Sequence, residues 1–311
     1  TKSTEYHNLV PWPGSLRPEG MSLCFGVIRR GMASVPTQPL PSGDEIPMIG
    51  FGTWNLSGET IKSSVRTALD AGYTHIDTAE GYKNESEIGE VLTDYDRSEL
   101  FLSSKVLPKN LNYESVVRAC EASLDRLGTD YLDLYLIHWP NPAISLRETL
   151  NAMETLHDEG LVRNLGVSNF SAYQLSCAKY ISDVPIAVNQ IEFHPVYQQH
   201  KLREYCRETD TVVEAAAPLG RTEILGEPII REIAEKHDRS PAAVVLRWAI
   251  ARDTVVLPKS TTPSHIEANL EAWDWELPES DLAAIDDLNR DEPVYHQAAY
   301  SWGRDVYGIS E

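Results

Sequence analysis

The stretch YESVVRACEASLDRLGTDYLDLYLIH, residues 113–138, contains the unit that decides the fold. Its first part, 113–127, spaces apolar residues three and four apart, as one face of a helix requires. Gly128 follows where a left-handed helix end is wanted. Residues 132–138 then make a short apolar run that ends on a polar His138, the mark of a buried strand. Runs of the same kind lie at 49–53, 74–78, 100–106, 162–167, 186–192, 211–216 and 254–258, which with 132–138 makes eight. Helical segments separate them at 59–71, 145–159, 228–237 and 241–251. Gly72 and Gly160 serve as further helix ends, and Ser240 with Pro241 as an N-cap and first-turn pair.

Strict alternation of strand and helix predicts a parallel sheet. Eight units without a strong linker favour an α/β (β/α)8 TIM barrel over an open doubly wound sheet. The open sheet would want GxGxxG after its first strand, but Gly50 and Gly52 have no third glycine at the required spacing. The PSGD turn at 41–44 predicts a small N-terminal β-hairpin capping the barrel floor. A single barrel domain is expected over 32–311. Residues 1–31, rich in Pro and without sustained period, are expected to be an extension outside the fold, with an ordered arm as the alternative. The end of the chain, with Tyr295, Tyr300, Trp302 and Tyr307, is expected to loop over the barrel mouth.

Of 311 residues, 42% are hydrophobic and 24% charged, which is enough for a sizeable core and excludes wholesale disorder. The net charge of −20 repels phosphate backbones and anionic lipid, so neither a nucleic-acid nor a membrane partner is expected. No apolar run approaches the length of a membrane span. Cys24, Cys120, Cys177 and Cys206 are scattered without paired spacing, which fits a reducing cytoplasm and suggests no metal site. The chain has 9 Lys against 18 Arg among many carboxylates, a composition similar to that of proteins from salt-loving organisms.

Ionisable residues stand at the ends of consecutive strands, where barrel active sites sit. Asp77, Lys105 and His138 close three of the apolar runs, and Tyr82 lies five residues past Asp77. Taken singly, such an Asp caps a loop, such a Lys reaches water and such a His is a bonded core residue. Together they converge on one volume and suit proton donation to an oxygen that becomes an alkoxide. A tyrosine with an ordinary pKa of about 10 is a weak acid. The Lys105 ammonium is expected to lower that value, with Asp77 as its counter-ion and His138 donating to the same oxygen.

Three motifs carry a resemblance to a known family. DTAEGYKNE at 77–85 with Gly89 resembles the DTAxxYxNExxxG signature of the aldo-keto reductases; LIHWP at 136–140 and GVSNF at 166–170 are similar to two more of their motifs. The resemblance implies a catalytic tetrad of Asp77, Tyr82, Lys105 and His138. It also implies NADP(H) as hydride donor and a small carbonyl compound as substrate. Ser168, Asn169 and Gln190 match the positions that hold the carboxamide, Gly52 and Thr53 the loop beside the nicotinamide, and Pro218 and Leu219 the segment along the pyrophosphate. Lys259, Ser260 and His265 match the grip on the 2′-phosphate, and Asn269 the adenine contact. Trp54 and Trp139 match the substrate pocket, and a monomer is implied.

Two positions depart from the pattern. Ala216 stands where the family commonly has an aromatic ring against the nicotinamide, and Tyr197 is the candidate replacement. His265 stands where an arginine is usual; lacking the permanent forked charge, it weakens the NADP(H) preference and opens NAD(H) use. Two other readings remain: a non-catalytic nucleotide-binding barrel acting as a sensor or partner subunit, and a metal-dependent hydrolase, for which no ligand cluster is evident. The acidic composition predicts that the melting temperature rises from low to molar KCl, and a midpoint indifferent to salt would remove the halophile reading.

Overall fold

The computed structural model describes residues 35–295; the expected extension at 1–31 and the mouth residues beyond Tyr295 lie outside the described residues. A hairpin comes first, with β1 (Thr37–Pro39) and β2 (Glu45–Pro47) antiparallel about the 41–44 turn. It seals the floor of the barrel as expected. Ile46 is fully buried, and Asn164 Nδ2 donates to Asp44 Oδ2 at 2.7 Å and to Asp133 O at 3.0 Å.

The barrel strands are β3 (Phe51–Gly52), β4 (His75–Asp77), β5 (Phe101–Val106), β6 (Leu132–Ile137), β7 (Val162–Ser168), β8 (Ile186–Glu192), β9 (Val212–Ala216) and β10 (Thr254–Val256). They pair in sequence order, each parallel to the next. The first and last edges meet: Val256 N donates to Met48 O and Gly50 N to Val256 O, both at 2.9 Å, and Gly52 N to Pro258 O at 3.1 Å. That closes the sheet and leaves no open edge. Strands β5, β6 and β8 are buried at every position, because helices cover the outer face and side chains fill the inner one.

The helices are α1 (Gly58–Ala71), α2 (Glu85–Leu92), α3 (Tyr113–Leu127), α4 (Leu146–Asp158), α5 (Ala172–Ile181), α6 (His200–Glu208), α7 (Pro228–Lys236), α8 (Pro241–Ala251), α9 (Pro263–Leu270) and α10 (Glu279–Asp286). Gly72 and Gly128 end α1 and α3 at φ of +112° and +65°, so both glycines do the stop work read from the sequence. Ser240 Oγ accepts from Ala243 N at 3.1 Å and caps α8 with Pro241 in its first turn. Below the mouth, Trp248 stacks on Phe193 with ring centroids 4.9 Å apart.

Gly89 of α2 packs directly against the backbone of Arg126 and Leu127 at the end of α3. A Cβ there would run into the Arg126 carbonyl oxygen, a backbone atom that cannot swing away. Gly89→Ala is therefore expected to cost about 1–3 kcal/mol of stability through overpacking. Denaturant titration measures it, and a change below about 0.5 kcal/mol would contradict the contact.

Candidate active site

Every strand points its carboxyl end at one mouth, so residues far apart in the chain meet on its floor. Lys105, one position from the end of β5, is fully buried. Its Nζ donates to Asp77 Oδ2 at 2.7 Å, to Thr78 O at 2.9 Å and to the Tyr82 hydroxyl at 3.3 Å, which uses all three ammonium hydrogens. The other oxygen of Asp77 accepts from Gln190 Nε2 at 3.0 Å. His138, just past β6, sets its ring edge-to-face with Tyr82 at 5.5 Å between centroids. The four residues of the expected tetrad are thus neighbours in space.

Tyr82 sits in a 3-10 turn, Glu80–Tyr82, and the rest of the motif holds that turn. Asn84 accepts from Thr78 Oγ1 at 2.9 Å and donates to Thr53 O at 2.9 Å and Leu56 O at 3.0 Å. The Glu80 carboxylate receives Leu107 N and Asn110 Nδ2, while buried Glu85 takes Ser104 Oγ at 2.6 Å and Arg126 Nη2 at 2.7 Å. Asn84, Glu85 and Gly89 therefore build the mount on which the phenol stands.

The electrostatics differ from the expectation in one respect. Burial, with the carboxylates of Asp77 and Glu214, holds the Tyr82 hydroxyl well above the ordinary tyrosine range. Lys105 does not lower it here because Asp77 sits closer to the ammonium than the phenol does and answers its charge. Tyr82 is a protonated donor and not an activated one. Burial and the Lys105 charge push His138 well below its usual value, so its ring is neutral and offers one N–H.

Above this floor lies a cleft of about 340 Å³. Gly52 at the end of β3 with Thr53 after it, Ser168 at the end of β7 with Asn169 after it, and Gln190 of β8 line one part of it. Pro218, Leu219 and Lys259 line another, and Trp54 and Trp139 a third. Asn169 adopts φ of +62°, uncommon outside glycine, and its Nδ2 donates to His138 O at 3.0 Å and Ser168 Oγ at 2.9 Å. Its amide hydrogens are thereby spent, leaving the side-chain oxygen as an acceptor. Ser168, whose oxygen receives that bond, keeps a hydroxyl hydrogen to give. This donor and acceptor set suits a carboxamide.

Ser260, His265 and Asn269 fall outside the cleft walls. Ser260 follows β10 and accepts from Thr262 N at 3.1 Å; His265 is exposed in the first turn of α9, and Asn269 is buried further along it. Pro263 has no N–H, and His265 and Ile266 donate theirs to Thr262 O at 3.0 and 3.1 Å, so the donors this region offers an anion are chiefly side chains. Tyr197 does not replace the ring absent at Ala216. It pairs with His194 in a tight turn, ring centroids 6.2 Å apart, and does not line the cleft. Ala216 and Ala217 form that wall.

Three residues enter the site without having been singled out. Glu214 of β9 is fully buried beside Gln190, with Oε2 2.5 Å from Nε2, and a charge interrupting the run VVEAA was its signal. Arg221 holds its guanidinium 5.1 Å from the Trp54 ring and 5.6 Å from the Tyr295 ring, in a loop where nothing in the sequence points inward. Glu192, the last residue of β8, accepts from the backbone N–H of Val294 and, at 3.1 Å, of Tyr295. It thereby fastens Tyr295 over the mouth, where its ring centroid lies 6.4 Å from that of Trp139.

Comparison with known proteins matches the profile described as aldo/keto reductase family to residues 48–290. An aldo-keto reductase of Mycolicibacterium smegmatis is 40% identical over 256 residues, covering 81% of this chain and 93% of its own. The glyoxal reductase of Bacillus subtilis is 40% identical over 261 residues, covering 83% and 94%. Among solved structures, an aldo/keto reductase from Brucella melitensis superposes with a TM-score of 0.79 at 42% identity, covering 82% of this chain and all of that one. An aldo-keto reductase of Bombyx mori in complex with NADP gives 0.81 at 31%, covering 89% and 99%.

Burial and Asp77 push the Glu214 carboxyl from 4.5 up to about 8 in the folded chain. Its proton is therefore held by the fold after an unfolded chain would have lost it, so stability falls as pH rises from 4.5 to about 8 and levels off above. Glu214→Gln is neutral throughout and is expected to show a flatter stability curve over that window. Parallel curves for the two proteins in thermal melts would refute the assignment.

Proposed function

The chain belongs to the aldo/keto reductase family and is an NAD(P)H-dependent oxidoreductase, and from that premise we propose that it reduces aldehydes, ketones or sugar carbonyls with Tyr82 as the general acid. The observation that carries this is the Lys105 ammonium, 2.7 Å from Asp77 and 3.3 Å from the Tyr82 hydroxyl. A fully buried ammonium is costly, and structure alone gives no reason to aim it at a phenol.

Bound NADP(H) would supply a hydride. Ser168, Asn169 and Gln190 would hold its carboxamide, Gly52, Thr53, Pro218 and Leu219 its body, and Lys259, Ser260 and His265 its 2′-phosphate, with Asn269 toward the adenine. The substrate oxygen lies between Tyr82 and His138. His138, neutral, donates a hydrogen bond and fixes the carbonyl. Addition of hydride to the carbonyl carbon leaves an alkoxide, a far stronger base than a phenolate. Proton transfer from Tyr82 is therefore downhill even with its pKa raised, and the phenolate left behind meets Lys105. Trp54 and Trp139 wall the substrate, and the glyoxal reductase relative supports small aldehydes as a class to try. A monomer working in the cytoplasm goes with this reading.

Tyr82→Phe is expected to lose about 10²–10⁴ in kcat while its NADPH Kd stays within about twofold. Retained turnover of an aldehyde panel, followed by NADPH consumption, would refute the acid role. NADPH binding by the wild type without turnover of any aldehyde, at low and at molar salt, would favour the sensor reading. Because His265 lacks the forked charge of arginine, the NADPH and NADH Kd values are expected to differ by less than about 10³, or about 4 kcal/mol. Titration by fluorescence quenching near neutrality checks this.

A further inference from the structure

Gln190 has two amide hydrogens, and the side chains of Asp77 and Glu214 take both. Nε2 lies 3.0 Å from Asp77 Oδ1 and 2.5 Å from Glu214 Oε2. Asp77 is fixed by Lys105, and the second oxygen of Glu214 faces the His75 ring at 3.5 Å, itself held by Ser103 at 3.0 Å. Glu214 and His75 are fully buried and Gln190 is 3% exposed, so no water competes for these bonds. With Asp77 Oδ1 and Glu214 Oε2 each accepting one of its hydrogens the amide is pinned, because turning it over would lose both bonds and set its oxygen against Asp77. Gln190 also lines the cleft, and the atom left for that side is its carbonyl oxygen.

We propose that Glu214 is a positioning residue, acting through Gln190: it locks the amide with its oxygen toward the cleft and so selects a ligand group that donates a hydrogen bond there. The inference rests on the hydride-transfer reading, in which that group is the carboxamide NH2 of the nicotinamide. Asp77 alone leaves one amide hydrogen unclaimed and the side chain free to turn. Glu214 removes that freedom. Its task differs from that of Lys105, which meets the phenolate, and from that of Ser168, which donates.

The test uses binding alone, without a carbonyl substrate. Three probes are titrated: NADP⁺, its 3-acetylpyridine analogue, in which a methyl ketone replaces the carboxamide and no NH2 remains, and adenosine 2′,5′-bisphosphate, which has no nicotinamide. The wild type is expected to prefer NADP⁺ over the acetylpyridine analogue by about 10-fold or more, the scale of one unsatisfied buried acceptor. Glu214→Leu is expected to reduce that preference to about threefold or less while leaving the bisphosphate Kd unchanged. Glu214→Gln is expected to restore it, since its carbonyl oxygen accepts the same N–H. An undiminished preference in a folded Glu214→Leu would overturn the proposal. So would a wild type that binds NADP⁺ and its analogue equally, an outcome that leaves hydride transfer standing; a wild type that binds no NADP⁺ would overturn both. Should Glu214→Leu fail to fold, the Gln190 side-chain NH2 in the wild type decides. Slow solvent exchange of both hydrogens by NMR supports the lock, and fast exchange overturns it.

Discussion

A positive charge with no access to water constrains everything around it. Lys105 sits inside a closed barrel, and an ammonium there persists only if each of its hydrogens meets an acceptor and its charge meets an opposite one. Asp77 supplies the charge from the next strand, Thr78 a carbonyl, and Tyr82 the third partner. The strand register meets this demand. Asp77 and Lys105 must both lie at the mouth end of their strands, and the loop after β4 must return over them. Asn84, Glu80 and Glu85 spend their hydrogen bonds on holding that loop, and Gly89 lets α2 lie close enough to α3 to carry it.

The charge balance of the floor extends one layer further than the tetrad. Asp77, Gln190, Glu214, His75 and Ser103 form a chain of contacts across the barrel interior. His75 is pulled down to about 3 by burial and by the Lys105 charge, and so is neutral. Around the Lys105 ammonium, Asp77 is the ion-pair partner and Glu214 a second acidic group reached through Gln190. Burial first, and these acidic neighbours after it, explain why the phenol keeps its proton. In the proposed reaction the driving force for proton transfer would come from the basicity of the alkoxide generated, with Lys105 there to meet the phenolate.

Much of this was legible in the sequence. Asp77, Lys105 and His138 interrupt apolar strands at their ends, and Tyr82 comes at a fixed offset, so the tetrad could be read before any geometry was known. The eight strands were legible too, although at 49–53 only Phe51–Gly52 runs as a strand, with Ile49 joining as a bridge. Helices α2, α5, α6, α9 and α10 were not picked out. They are 8 to 10 residues long, too short for a period to declare itself, although the Ser171 and Gln174 capping box announces α5. What sequence could not show was distance. The upward shift of Tyr82 depends on Glu214, far along the chain but close across the barrel, and the inward turn of Arg221 depends on left-handed backbone at Arg221 and Thr222. Tyr197, a plausible ring by position, points elsewhere because it closes a turn with His194.

The fastening of the mouth by Glu192 has a consequence of its own. Its carboxylate grips main-chain N–H groups of Val294 and Tyr295, and main chain is the same whatever side chains it bears. The tether is blind to the identity of what it ties down. Side chains at this part of the rim can therefore be exchanged while the anchor on β8 stays as it is.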